Sequence, residues 1–123
     1  MIVAGFGFST RAQDESLRDA LRLACDLAGI AGPDALATAQ DKATALCALS
    51  QSLGLPICPV AQDTLAAQTT QTQSARVAAE RTTGSVAEAA ALAAAGPGAR
   101  LLTPRTHARD RLASCALAEG TPS

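Results

Sequence analysis

The sequence predicts an α/β fold: a three-layer α/β/α domain whose mostly parallel sheet of about five strands ends in an antiparallel hairpin. Three observations carry this. Short apolar runs punctuate the chain, segments of helical periodicity separate them, and the last two runs flank a polar loop. At 123 residues the chain makes one domain over 1–118 with a polar tail at 119–123. It can bury a core without disulfide or metal staples.

Taken in order, Met1 to Phe6 reads as a buried strand that breaks into a Gly5-Phe6-Gly7 turn. Asp14 to Ala28 is helical, with Leu17, Leu21, Ala24 and Ala28 on one stripe and Leu23 and Leu27 widening it. Asp14 is the expected N-cap and Gly29 the stop. Ala35 to Ala39 is a short second strand, and Asp41 opens a helix with Leu46, Leu49 and Leu53 as its stripe and Gly54 after its end. Leu55 to Ala61 is a third strand, placed at a sheet edge because its two prolines cannot donate to a ladder. A turn at Gln62–Ala67, an exposed Thr/Gln loop at 68–73 and a helix at 74–81 follow.

Ser85 and Glu88 have the S-x-x-E spacing of a capping box, so a helix begins there and runs through alanines to Ala95. Its narrow surface suits close packing on a sheet. Arg100 to Thr103 is a fourth strand, Pro104 to Asp110 a loop, and Arg111 to Ala118 a fifth strand that closes the hairpin.

Aromatics make up 2% of the chain, so the core must be aliphatic. The net charge of −1 gives no pull toward nucleic acid or an anionic membrane. Arg100, Arg105, Arg109 and Arg111 crowd around His107 in one late stretch, either a solvated loop or an anion-binding one. Cys25, Cys47, Cys58 and Cys115 lack paired or metal-ligand spacing and are expected as buried free thiols in a reducing cytoplasm. The apolar start is too short for a membrane span.

Three places could bring polar groups to the C-terminal edge of the sheet. At the first, Gly5 and Gly7 with Ser9, Thr10 and Arg11 offer backbone N–H groups to carboxylate or phosphate oxygens, or simply form a strand-to-helix turn. A dinucleotide fingerprint fails there, because Thr10 stands where its third glycine belongs. At the second, Asp41 is a helix cap or a weak candidate base, and the alternative is that Lys42 points into a cleft. At the third, Gly84, Ser85 and Val86 start a helix whose positive end favours an anion. Glu88 is a second weak candidate base, although the capping box accounts for it. No catalytic triad, P-loop or metal cluster is visible, and no cofactor is expected.

The strand entering Gly5-Phe6-Gly7, the Leu53-Gly54-Leu55-Pro56 segment, Gly84 to Leu92 and the closing strand–loop–strand together resemble the CobE family of cobalamin biosynthesis. That family is equivalent to the C-terminal domain of CbiG, and the resemblance runs from Ile2 to about Ala118. It implies a role around corrin ring contraction, with a precorrin or hydrogenobyrinic-acid-like tetrapyrrole as ligand and other pathway enzymes as possible partners. The alternatives it implies are hydrolysis of a precorrin lactone with acetaldehyde release, or ligand-free docking onto a pathway methyltransferase. The chain departs from the family pattern where basic residues after the Gly-x-Gly segment reduce to Arg11, and where Thr70 to Ser74 replaces an Asn-Pro-Ser-type segment. A flat, apolar macrocycle edged with carboxylates would need an apolar platform with N–H groups and arginines at its rim. Phe8 supplies the platform, Arg105 joins the rim, and Phe6 belongs to the core. Oligomeric state is not legible.

Overall fold

The computed structural model describes residues 1–61, 64, 86–96 and 98–120. Its elements are β1 (Ile2–Phe8), α1 (Asp14–Ala28), β2 (Ala35–Ala39), a 3-10 segment (Gln40–Leu46), α2 (Cys47–Leu53), β3 (Ile57–Val60), α3 (Val86–Ala95), β4 (Arg100–His107) and β5 (Ala113–Glu119). The five strands form one sheet in the order β3-β2-β1-β5-β4. β1 pairs parallel with β2, and β2 with β3, whereas β5 is antiparallel to both β1 and β4. Four strands therefore run one way and β5 alone opposes them. The proline-bearing β3 lies at an edge, as its missing donors require.

Alternation along β1 divides the core. Ala4 and Phe6 join Leu17, Leu21, Leu36, Leu46, Leu49, Cys115 and Leu117 in a leucine-rich cluster with α1 and α2. Val3 joins Ala35, Ala37, Ala39, Val60, Ala89 and Ala90 in an alanine-rich cluster with α3. Period-two strands send neighbours to opposite faces, so the one strand serves both clusters through different residues. Each leucine removed from water contributes about 2 kcal/mol, which gives the α1 side most of the hydrophobic stabilisation.

Helix α1 has the predicted boundaries, but its N-cap is Gln13 in place of Asp14. Gln13 and Ser16 exchange side-chain-to-backbone bonds as a capping box, and Gly29 ends the helix at φ 73°. The stripe is narrower than predicted: Leu17, Leu21 and Ala24 are buried, while Leu27 is 72% exposed. The second helix begins as a 3-10 segment whose N-cap is Ala39, with no side-chain cap bond, so Asp41 is not a cap. Gly54 closes α2 in the left-handed conformation, although Leu53 is exposed.

Two strand boundaries differ in ways that bear on function. β1 continues through Phe8, so Gly5 and Gly7 lie inside the strand with no turn between them, and neither has a positive φ. β4 continues to His107, so Arg105 is a strand residue and not a loop residue. The expected turn at 62–67 (apart from Thr64), the loop at 68–73, the helix at 74–81, and Gly84 and Ser85 lie outside the described residues. So do Pro97 and 121–123. Among the described residues no helix is long and apolar enough to cross a membrane.

Candidate functional site

Glycines at 5 and 7 project to the side of β1 on which α3 lies. A Cβ on Gly5 would sit 2.1 Å from the Ala87 carbonyl oxygen and 2.5 Å from the Ala91 nitrogen. At Gly7 it would meet Val86 Cβ at 3.5 Å and Ala87 N at 3.4 Å. The Gly-x-Gly pair is thus a groove for a helix inside a continuous strand, and not the turn expected from the sequence. The contacts also set direction: α3 starts beside Gly7, at the C-terminal end of β1, and runs back along the strand.

That end of β1 collects several of the predicted residues. Lys42 reaches from the 3-10 segment to donate from Nζ to the Phe8 carbonyl at 2.5 Å. The same ammonium lies 5.1 Å from the centroid of the Phe8 ring, within cation–π range. Phe8 is half-buried and packs against the leucine-rich cluster, so it forms a floor beneath the lysine more than an open stacking platform. Beneath it, Thr38 is fully buried and donates its hydroxyl to the Phe6 carbonyl at 2.9 Å. Ser114 donates to the Gly7 carbonyl at 3.3 Å. Neither residue stands out in the sequence; a small hydroxyl at an inward position of an apolar strand is the signal that could have found them.

Ser9, Thr10 and Arg11 are exposed at the same end. The Ser9 N–H donates to the Leu112 carbonyl at 2.9 Å, and the Arg11 N–H to Ser9 Oγ at 3.2 Å. These N–H groups hold the local chain, so the expected anion cradle loses two of its donors. The Arg11 side chain is exposed beside them. Asp41 is exposed in the first turn of the 3-10 segment and is not drawn into the Lys42–Phe8 cluster.

Glu88 is 0% exposed, and its Oε2 accepts from the Arg105 backbone N–H at 2.9 Å. The carboxylate therefore joins α3 to β4, a role the capping-box spacing did not suggest; Ser85 falls outside the described residues. Buried in this way, Glu88 is poorly placed as a solvent-reachable base.

Titratable groups elsewhere show what the described structure leaves inert. Cys25 and Cys115 are buried and their thiols are pushed up by desolvation, Cys115 strongly, so neither offers a thiolate. Cys47 is exposed and Cys58 half-buried, which corrects the expectation that all four are buried. The arginine-rich stretch binds acids of its own chain. Asp19 is held below the usual carboxylate range by the Arg109 backbone N–H and by the Arg22 and Arg109 guanidinium groups, against partial desolvation. Asp110 accepts from the Ser16 hydroxyl at 2.6 Å and from the Leu112 N–H at 2.9 Å. This network borders a shallow depression of about 510 Å³ lined by both signs of charge. A second, more apolar groove of about 450 Å³ lies between α1 and α2. Neither adjoins Lys42. Among the described residues no group of three or more His, Cys, Asp or Glu could hold a metal ion.

The profile of the family described as cobalamin synthesis G C-terminus matches residues 2–118. The crystal structure of cobalamin biosynthesis protein chiG from Agrobacterium tumefaciens is similar at 36% identity and a TM-score of 0.77, covering 99% of this chain and 100% of that one. The structure of CobE, a protein from the cobalamin (vitamin B12) biosynthetic pathway, is similar at 34% identity and a TM-score of 0.80, covering 100% and 92%. A cobalamin biosynthesis protein G homologue from Sulfolobus solfataricus shares the fold at 18% identity and a TM-score of 0.70, with 95% of this chain matching 36% of that one. A search among curated protein sequences returns no match.

Proposed function

The chain belongs to the family of cobalamin synthesis G C-terminal domains, a cobalamin biosynthesis protein of the CobE type, and from that premise we propose that it binds a precorrin or hydrogenobyrinic-acid-like tetrapyrrole. It acts around ring contraction as an accessory or carrier. The observation that carries this reading is the Lys42 ammonium beside the Phe8 ring at the C-terminal end of β1. A cation held over a half-buried ring suits a carboxylate at the rim of a flat macrocycle. Ligands of open α/β sheets favour that edge of the strands. Arg11, exposed nearby, adds a second cation. The two separate core clusters support the three-layer arrangement that leaves this edge open. Four free thiols are in keeping with a cytoplasmic protein.

Titration with hydrogenobyrinic acid, followed by the visible spectrum, tests the reading. We expect saturation at micromolar ligand, with Lys42→Ala and Arg11→Ala each weakening binding about fivefold, as for a partly exposed charge pair. No spectral change with the parent protein, or a parent and variants that cannot be told apart, overturns it. Acetaldehyde release from a precorrin substrate would transfer the assignment to a hydrolase. Co-purification with a pathway methyltransferase in the absence of ligand would favour a docking module.

A further inference from the structure

The N–H that Glu88 accepts is unusual in its position. Along the β4–β5 ladder, Thr103 pairs with Leu117 and Thr106 with Cys115, so Pro104 and Arg105 together oppose the single residue Ala116. Two residues against one is a β-bulge, which unpairs backbone and re-aims a side chain. Pro104 has no N–H. Arg105 therefore carries the donor of the bulge, and the buried Glu88 carboxylate receives it at 2.9 Å. The Thr106 hydroxyl donates to the Pro104 carbonyl at 3.0 Å and braces the same backbone from its own strand.

Register puts this bulge level with Ala116 and hence with Gly5, three residues back from the Phe8 end of β1, and the residues after it lead to that end. Thr106 is level with Cys115 and hence with Phe6, and His107 is level with Ser114 and hence with Gly7. The bulge thus lies beside the start of α3, two strands from β1. Lys42 Nζ sits at the Phe8 carbonyl on β1 itself. Two strand spacings of about 4.8 Å and three residues of about 3.3 Å each along the strands put the Arg105 backbone roughly 14 Å from the Phe8 carbonyl that the lysine meets. That spacing suits a ligand with carboxylates on separate edges and exceeds the reach of a single phosphate.

We propose that Glu88 is a positioning residue. By holding the β4 bulge it sets the backbone of Arg105, so that the half-buried arginine meets a carboxylate of the ligand across from Lys42. The proposal rests on the tetrapyrrole reading and assigns Glu88 no acid–base step.

The test combines a titration with hydrogenobyrinic acid and amide hydrogen exchange at Arg105. Glu88→Gln keeps an acceptor oxygen and binds within about threefold of the parent, whereas Glu88→Ala and Arg105→Ala each weaken binding roughly tenfold. Because the two residues act in series, the double variant loses no more than either single one. Exchange at the Arg105 amide accelerates in Glu88→Ala and stays slow in Glu88→Gln, with or without ligand. Additive losses, parent-like binding by Arg105→Ala, or lost binding in a folded Glu88→Gln each overturn the proposal. Should Glu88→Ala fail to fold, the Gln variant and Arg105→Ala decide. A parent protein that binds nothing removes both the tetrapyrrole reading and the Arg105 contact, while the exchange rates still decide whether Glu88 holds the bulge.

Discussion

Adding one methyl group at Gly5 tests how closely α3 lies on the sheet. The new carbon would fall 2.1 Å from the Ala87 carbonyl oxygen, 2.5 Å from the Ala91 nitrogen and 2.9 Å from the Ala91 Cβ. Two of these are backbone atoms, so relief requires the helix to move. Gly5→Ala is expected to cost about 3 kcal/mol, seen as a lower denaturation midpoint with an unchanged slope. Gly29→Ala is the contrast. Its Cβ would meet open space, and only the φ of 73° opposes it, so about 1 kcal/mol is expected. Equal losses would show that α3 does not depend on this close approach. The Gly-x-Gly pair is visible in the sequence, but the turn expected there is continuous strand. Glycines two apart in a strand share one face, and the alanine-rich helix needing such a face is also in the sequence. What sequence could not supply was the contact between segments some eighty residues apart.

At the level of elements, the best-predicted boundaries are those set by local chemistry. Helix α1 and β2 have the expected limits, and Gly29 and Gly54 end their helices with left-handed backbone, because caps and glycine stops act over a few residues. The end of β4 was missed because Pro104 reads as a break, and a bulge that accommodates proline depends on the partner strand. Stripe width was misjudged for the same reason: which flank of α1 meets the sheet is decided by tertiary packing. The two leucines of that helix make this measurable. Leu17 is 2% exposed and packs in the leucine-rich cluster, whereas Leu27 is 72% exposed. Leu17→Ala should cost about 3 kcal/mol and Leu27→Ala less than about 0.5 kcal/mol, by equilibrium urea unfolding. Comparable losses would mean that Leu27 is covered in solution.

For the molecule as a whole, the family was legible from motifs spread over most of the chain, while the bonds that define the candidate site join distant residues. Lys42 to Phe8, Glu88 to Arg105 and Ser16 to Asp110 are tertiary pairings without a local pattern. Two other groups, His107 and Asp19, set how the protein responds to acid. Partial desolvation of the His107 ring, with Arg105 and Arg111 nearby, lowers its pKa from 6.5. The folded state therefore takes up the proton less readily than the unfolded chain. As pH falls through 6.5 the unfolded state protonates first, so stability declines. Asp19 acts lower on the scale. Its pKa lies below 3.8, so its contribution is present above that value and disappears as pH falls through the folded pKa. Thermal midpoints measured from about pH 7 to pH 3 should show a shallow decline beginning near the histidine range and a second one in strong acid. His107→Gln should flatten the first and leave the second in place. Parallel curves for the parent and the variant would show that desolvation and the neighbouring arginines do not shift the charge state of His107.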